Sequence, residues 1–169
     1  MVIGDIIIFS GKSLISRAIQ KFTKSKWNHV GIVYDTNEKY VVLAEAIYNG
    51  FKLKKYSKKN IEKMLKKEKI KIKKSKKTLN FIRTFILKYL GIRYSWFGIV
   101  KIALKILFKK LDLKGDNEKT LICSETVSRI LYDCSEGYVD LEREFNKTHD
   151  FITPADINKS EFLYDILNV

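Results

Sequence analysis

The stretch His29-Val30-Gly31-Ile32-Val33-Tyr34-Asp35-Thr36-Asn37-Glu38-Lys39-Tyr40-Val41-Val42-Leu43-Ala44-Glu45-Ala46 decides how the chain folds. Its two flanks, His29 to Tyr34 and Tyr40 to Ala46, are apolar and rich in β-branched residues. The polar residues Asp35 to Lys39 between them form a hairpin signal of the five-residue class. Closed symmetrically about Asn37, the hairpin sets Tyr34 opposite Tyr40, Ile32 opposite Val42 and His29 opposite Glu45. Directly opposed side chains on one face stand about 4.5–5.5 Å apart at their β-carbons. Glu45 would then fix the tautomer of His29 and stabilise its imidazolium. A slip of one residue would send Glu45 to the other face.

A second stretch, Cys123-Ser124-Glu125-Thr126-Val127, begins a helix in which Val127, Ile130 and Leu131 lie on the side of the thiol. At a helix N-terminus the free backbone N–H groups and the macrodipole favour a thiolate. The same N–H groups can stabilise the oxyanion formed when sulfur attacks a carbonyl. A base on a strand and a thiol at the start of a helix are the two parts of an activated cysteine nucleophile.

The rest of the chain supplies a sheet and its cover. Val2 to Phe9 reads as the first strand. Gly11 and Ser13 then open a short helix whose Leu14, Ile15, Ala18, Ile19 and Phe22 share a face. Gly50 turns the chain into a strand over Phe51 to Lys55, and Ser57 caps a lysine-rich helix to about Lys67. Ile70-Lys71-Ile72-Lys73 alternates like an edge strand carrying protective lysines. Thr78 to Leu90 and Ser95 to Phe108 read as helices on either side of Gly91-Ile92-Arg93-Tyr94, and Leu113 to Thr120 as a polar loop.

Composition bounds these readings. The 169 residues are 46% hydrophobic with one proline, which suits one packed domain over residues 1–169 and excludes a disordered chain. Cys123 and Cys134 are too few to staple a secreted scaffold, so reduced thiols and a cytoplasmic setting are expected. The N-terminal segment lacks a basic leader and is expected to be a strand, not a signal peptide. Arg83, Lys88, Arg93, Lys101 and Lys105 break the apolar stretch from Phe81 to Phe108, so no membrane-spanning helix is expected.

The formal net charge is +14, and Lys52 to Lys77 holds fourteen lysines against Glu62 and Glu68. Such a region suits an anionic membrane surface or polymer. It suits a plain solvated face in a lysine-rich chain somewhat better. Without interleaved aromatic or arginine residues it is a poor signature for nucleic acid.

Bland alternatives stand beside the site. A lone cysteine on an apolar helix face can be a small core residue, and a histidine at a strand start can be a satisfied structural group. His149, next to Asp150, is a rival base. Zinc held by Cys123, Cys134, His29 and His149 lacks the close ligand spacing of known sites, so no metal and no organic cofactor is expected.

The short signals also occur together in a recognisable cyclic order. The chain resembles the circularly permuted branch of the NlpC-type papain-like superfamily, with bacterial relatives of murein peptidases and, more distantly, the lecithin–retinol acyltransferase group. Gly91-Ile92-Arg93-Tyr94 with Trp96 precedes Cys123-Ser124, whereas Gly4-Asp5-Ile6 and His29-Val30-Gly31-Ile32 lie upstream, so the motifs match and their order is rotated. Ile122, Glu125 and Asn28 depart from the usual residues around the cysteine and histidine, and a helical insertion at about 95–111 widens the gap between tyrosine and cysteine.

The resemblance implies an α+β papain-like domain, a small antiparallel sheet or partial barrel packed on helices. It implies Cys123 as nucleophile, His29 as base, Glu45 as the orienting residue, and Tyr94 with Ser124 at the oxyanion and substrate-binding position. The expected activity is that of a thiol hydrolase or acyltransferase. It would work through a thioester on a cell-wall-type peptide or isopeptide amide, or on a lipid-linked acyl group. The reading from another class is a catalytically idle module that docks on membrane or polyanion through its lysines.

Overall fold

The computed structural model describes residues 1–95 and 120–166. In chain order these form β1 (Ile6–Phe9), α1 (Leu14–Thr23), β2 (His29–Thr36), β3 (Tyr40–Ile47), β4 (Gly50–Ser57), α2 (Lys58–Lys66), β5 (Ile70–Ser75) and α3 (Ile82–Tyr89). Then come β6 (Arg93–Tyr94), β7 (Thr120–Leu121), α4 (Cys123–Cys134), α5 (Leu141–Phe145), a 3-10 turn (His149–Phe151), α6 (Pro154–Lys159) and β8 (Leu163–Asp165). The fold is α+β. The helix expected over Ser95 to Phe108, the insertion at about 95–111, Trp96 and most of the loop to Thr120 lie outside the described residues.

Six strands make one antiparallel sheet in the order β4-β3-β2-β1-β5-β8. Strand β1 is apolar at all four positions because both faces of the sheet are covered. Ile6, Ile8, Val30, Ile32 and Ala44 pack on one face against α3 and α4, with Ile86, Val127, Ile130 and Leu131. Ile7, Phe9, Val33, Leu43 and Ile72 pack on the other face, beneath Ile61 of α2. Burying side chains of this kind contributes about 1.5–3 kcal/mol each.

The hairpin closes differently from its symmetric reading. Asn37 accepts the backbone N–H groups of Lys39 and Tyr40 through Oδ1 at 2.9 and 3.0 Å, which draws the turn onto Glu38 and Lys39 alone. Asp35 therefore pairs with Val42, and a bulge at Tyr34 restores pairing at Val33 with Leu43. Arg83 fixes the bulge, donating to the Tyr34 carbonyl and the Asp35 carboxylate. The net effect is that Gly31, not His29, stands opposite Glu45.

Other differences also have local causes. Strand β1 starts at Ile6 because Val2 to Asp5 forms a turn, with Gly4 at φ +91 and the Val2 N–H donating to Asp5. Helix α3 starts only after Phe81, which adopts a left-handed conformation at φ +52. Strand β5 is internal, flanked by β1 and β8, rather than the expected edge. Lys71 and Lys73 on it pair with Asp165 of β8. Strand β4 is the sheet edge that carries exposed lysines, at Lys52, Lys54 and Lys55.

Candidate active site

The site forms at the end of the sheet where β1 and β3 finish and β2 and β4 begin. Strand pleating places His29 and Glu45 on the face of Phe9, Val33 and Leu43, whereas Cys123 belongs to the cluster on the opposite face. They can meet because His29 is the first residue of β2, at the rim. Its Nε2 lies 2.7 Å from Glu45 Oε2, and the Cys123 side chain is near enough to the ring to raise its pKa. With Nε2 given to the carboxylate, the thiol falls to Nδ1.

Glu45 reaches His29 along the diagonal of the register, past a residue with no side chain. A β-carbon on Gly31 would stand 3.3 Å from Cβ of Glu45 and 3.3 Å from the Ala44 carbonyl oxygen. The glycine thus keeps the carboxylate free to lean across the strand. Gly31→Ala is expected to push Glu45 aside by a few tenths of an ångström and to slow alkylation of Cys123 about tenfold, less than the roughly 100-fold that follows a 1 Å misplacement of a reacting group. An unchanged labelling rate in the folded variant would refute that role.

The electrostatics are those of a tightly held ion pair. Burial opposes a charge on His29, but the Cys123 sulfur and then Glu45 overcome it, and the imidazole pKa is pushed up to about 10. Burial also opposes the Glu45 carboxylate, yet the His29 hydrogen bond and charge, with Tyr56, hold its pKa below the ordinary value. Only 2% of the Glu45 side chain is exposed, and its Oε1 accepts a 2.6 Å hydrogen bond from the Tyr56 hydroxyl. Lys54 Nζ stands 3.9 Å from the same oxygen.

Cys123 is the first residue of α4 and is 4% exposed. Glu125 accepts the Ile122 N–H and is itself held by Arg129, which steadies the helix start. The N–H groups of the first turn have no partner within the helix. Ser124, read from sequence as an oxyanion or substrate-binding residue, donates its hydroxyl to the Ile152 carbonyl at 2.6 Å. Its side chain therefore anchors α4 to the segment before α6.

Tyr94 arrives through a short parallel bridge, with Arg93 opposite Thr120 and Tyr94 opposite Leu121. The bridge is docked on β4: the Phe51 N–H donates to the Ile92 carbonyl and the Gly91 N–H to the Phe51 carbonyl. Gly50, at φ +110, is required there, since a β-carbon would lie 2.9 Å from the Ile92 oxygen. Burial and the charge of Cys123 push the Tyr94 pKa up, so its hydroxyl keeps its proton and can donate.

No family model matches the chain, and no curated protein matches it. Among solved structures it is similar to the metalloprotein YiiX from Escherichia coli O157:H7, a DUF1105 protein. That likeness has a TM-score of 0.54 and 18% identity, covering 99% of this chain and 97% of the other. It concerns the fold.

The other sequence candidates lie apart from this cluster. His149 Nδ1 is bonded to Ser128 Oγ at 2.8 Å, more than one helical turn beyond Cys123, and burial lowers its pKa. Cys134 is buried at the far end of α4, with its thiol pushed up to about 12 by burial and Asp133. Among the described residues no three His, Cys, Asp or Glu side chains gather as metal ligands. No described helix is long and apolar enough to cross a membrane.

Two openings adjoin the site, one on the side of His29 and Glu45 and the other on the side of Cys123. A cleft of about 340 Å³ is lined by His29, Glu45, Tyr48, Lys54, Tyr56 and Tyr94. A smaller slot of about 30 Å³ runs between Ile19, Phe22, Ile122, Cys123 and Pro154 and is largely apolar. Tyr56 and Gly31 are site residues that sequence reasoning missed. The alternation Lys52, Lys54, Tyr56 on β4 was the available signal for Tyr56, because the pleat sets these three on the face of Glu45.

Proposed function

We propose that the protein is a papain-like, circularly permuted cysteine hydrolase or acyltransferase that works through a thioester on Cys123. The observation that carries this reading is the continuous chain of contacts from Cys123 through His29 to Glu45 at the first residue of α4. His29 takes the proton from the Cys123 thiol. The thiolate attacks an amide or ester carbonyl, forming the C–S bond. The oxyanion is received by first-turn N–H groups and the Tyr94 hydroxyl. His29 then gives its proton to the departing amine or alkoxide as that bond breaks. Water or an acceptor, deprotonated by His29, attacks the thioester and regenerates the thiolate.

The small apolar slot beside the sulfur favours a substrate whose acyl part is compact and apolar near the carbonyl. The larger cleft, which carries the His29, Glu45 and Lys54 side chains, would receive the leaving group. A peptide or isopeptide amide and a lipid-linked acyl group both satisfy that description.

The test uses the two cysteines as an internal comparison. Incubation with short-chain p-nitrophenyl esters, followed by peptide mapping, should find an acyl adduct on Cys123 and none on Cys134. Acylation of neither residue, together with equally slow labelling of both by iodoacetamide, would favour the idle docking module.

A further inference from the structure

We infer that the rim of the cleft is a docking surface for an anionic phospholipid bilayer, a proposal that rests on the reading of the cleft as an active site. Among the described residues, the three most exposed large apolar side chains are Leu14 at 84%, Phe81 at 78% and Tyr48 at 74%. Two of the three flank the cleft. Tyr48 lines it, and Leu14 stands between Ser13 and Ser16, which line it too. Phe81 lies elsewhere, next to Asn80, whose N–H donates to the Cys134 carbonyl at the far end of α4.

The charge around the same rim is one-sided. Lys12, Lys52, Lys54 and Lys69 are exposed and belong to the segments that meet at this end of the sheet. Of the nearby carboxylates, Glu45 is buried against His29, and Glu68 is paired with Lys26 at 3.6 Å. Lys71 and Lys73, counted in the lysine-rich stretch, share the Asp165 carboxylate and are not among the exposed lysines of the rim. The part of that stretch suited to docking is therefore the start of β4 and the loop before β5.

Exposed apolar side chains ringed by lysines match the boundary of an anionic bilayer, where the apolar groups enter the acyl region and the ammonium groups meet phosphate. A nucleic acid would use the lysines and leave Leu14 without a role. Docking by this rim would point the cleft and Cys123 at the membrane, so the substrate class it favours is the lipid-linked acyl group.

The test is sedimentation of the full chain with vesicles of phosphatidylcholine alone or with phosphatidylglycerol, at rising salt. Binding is expected only to the anionic vesicles and should weaken at least about tenfold as salt passes from low to several times physiological strength. Lys12→Glu with Lys52→Glu should weaken it at least about tenfold. Leu14→Ser with Tyr48→Ser should do the same with no loss of folded protein in a thermal melt. No vesicle binding, binding indifferent to lipid charge, or binding untouched by either pair would overturn the proposal. Binding of a duplex oligonucleotide that is equally strong in the Leu14 and Tyr48 variant would assign the lysines to nucleic acid and overturn it too. Acylation of Cys123 by a soluble ester is measured without vesicles, so failure of the docking surface and failure of the catalytic reading give different results.

Discussion

His29→Ala is expected to slow alkylation of Cys123 by iodoacetamide at pH 7 by about 100-fold, the lower range for loss of a positioned acid–base group. The sulfur is buried, and the imidazolium is the cation that faces it. Without that cation the charged form of sulfur keeps only the helix terminus as support. Second-order rates followed by mass spectrometry, with Cys134 as the slow reference, make the measurement. Equal rates in wild type and variant would show that the two side chains are neighbours without chemistry. The acyl adduct sought on Cys123 should be lost in the same variant.

Glu45→Ala is expected to cost both stability and rate. It leaves the Tyr56 hydroxyl and His29 Nε2 without their buried acceptor, a loss of about 3 kcal/mol by analogy with broken buried pairs. Turnover should fall by about 100-fold or more as the imidazole loses its orientation. The pH dependence distinguishes this from simple loosening of the fold. Glu45 helps to raise the His29 pKa, so its removal moves the alkaline limb of the rate profile downward from about 10.

Stability should follow the same sign. With its pKa raised in the fold, His29 contributes its full stabilisation below the unfolded value of about 6.5. That contribution disappears as pH rises through about 10. Glu45, whose pKa is lowered in the fold, contributes above its ordinary 4.5 and loses that contribution on acidification. Denaturant titrations at neutral and alkaline pH should show a steeper decline in the wild type than in Glu45→Ala. A parallel decline would mean that the carboxylate does not act on the imidazole.

The partnership of His29 and Glu45 was legible in the sequence although their register was not. The symmetric hairpin misses the Asx turn at Asn37 and the bulge at Tyr34, and the two together displace the pairing near the site by two residues. Because the side-chain period of a strand is also two, both residues stayed on one face. The internal position of β5 was not legible, since its partner β8 lies some ninety residues later and is only three residues long. Local periodicity carries no information about such a partner. The nearness of Tyr94 to Cys123 depends on β6 and β7, two-residue bridges too short to leave a pattern. Ser124 showed the limit of adjacency, because its hydroxyl turns to Ile152.

His29 and Cys123 belong to opposite layers of the molecule and come together only where the central sheet runs out. On the proposed reading, reactivity at Cys123 would be a property of the two layers assembled, absent from either by itself. A chain whose α4 layer has loosened, or whose first β2 residue has frayed, would carry an ordinary thiol long before its strands come apart. Loss of Cys123 reactivity on warming should therefore run ahead of loss of β structure.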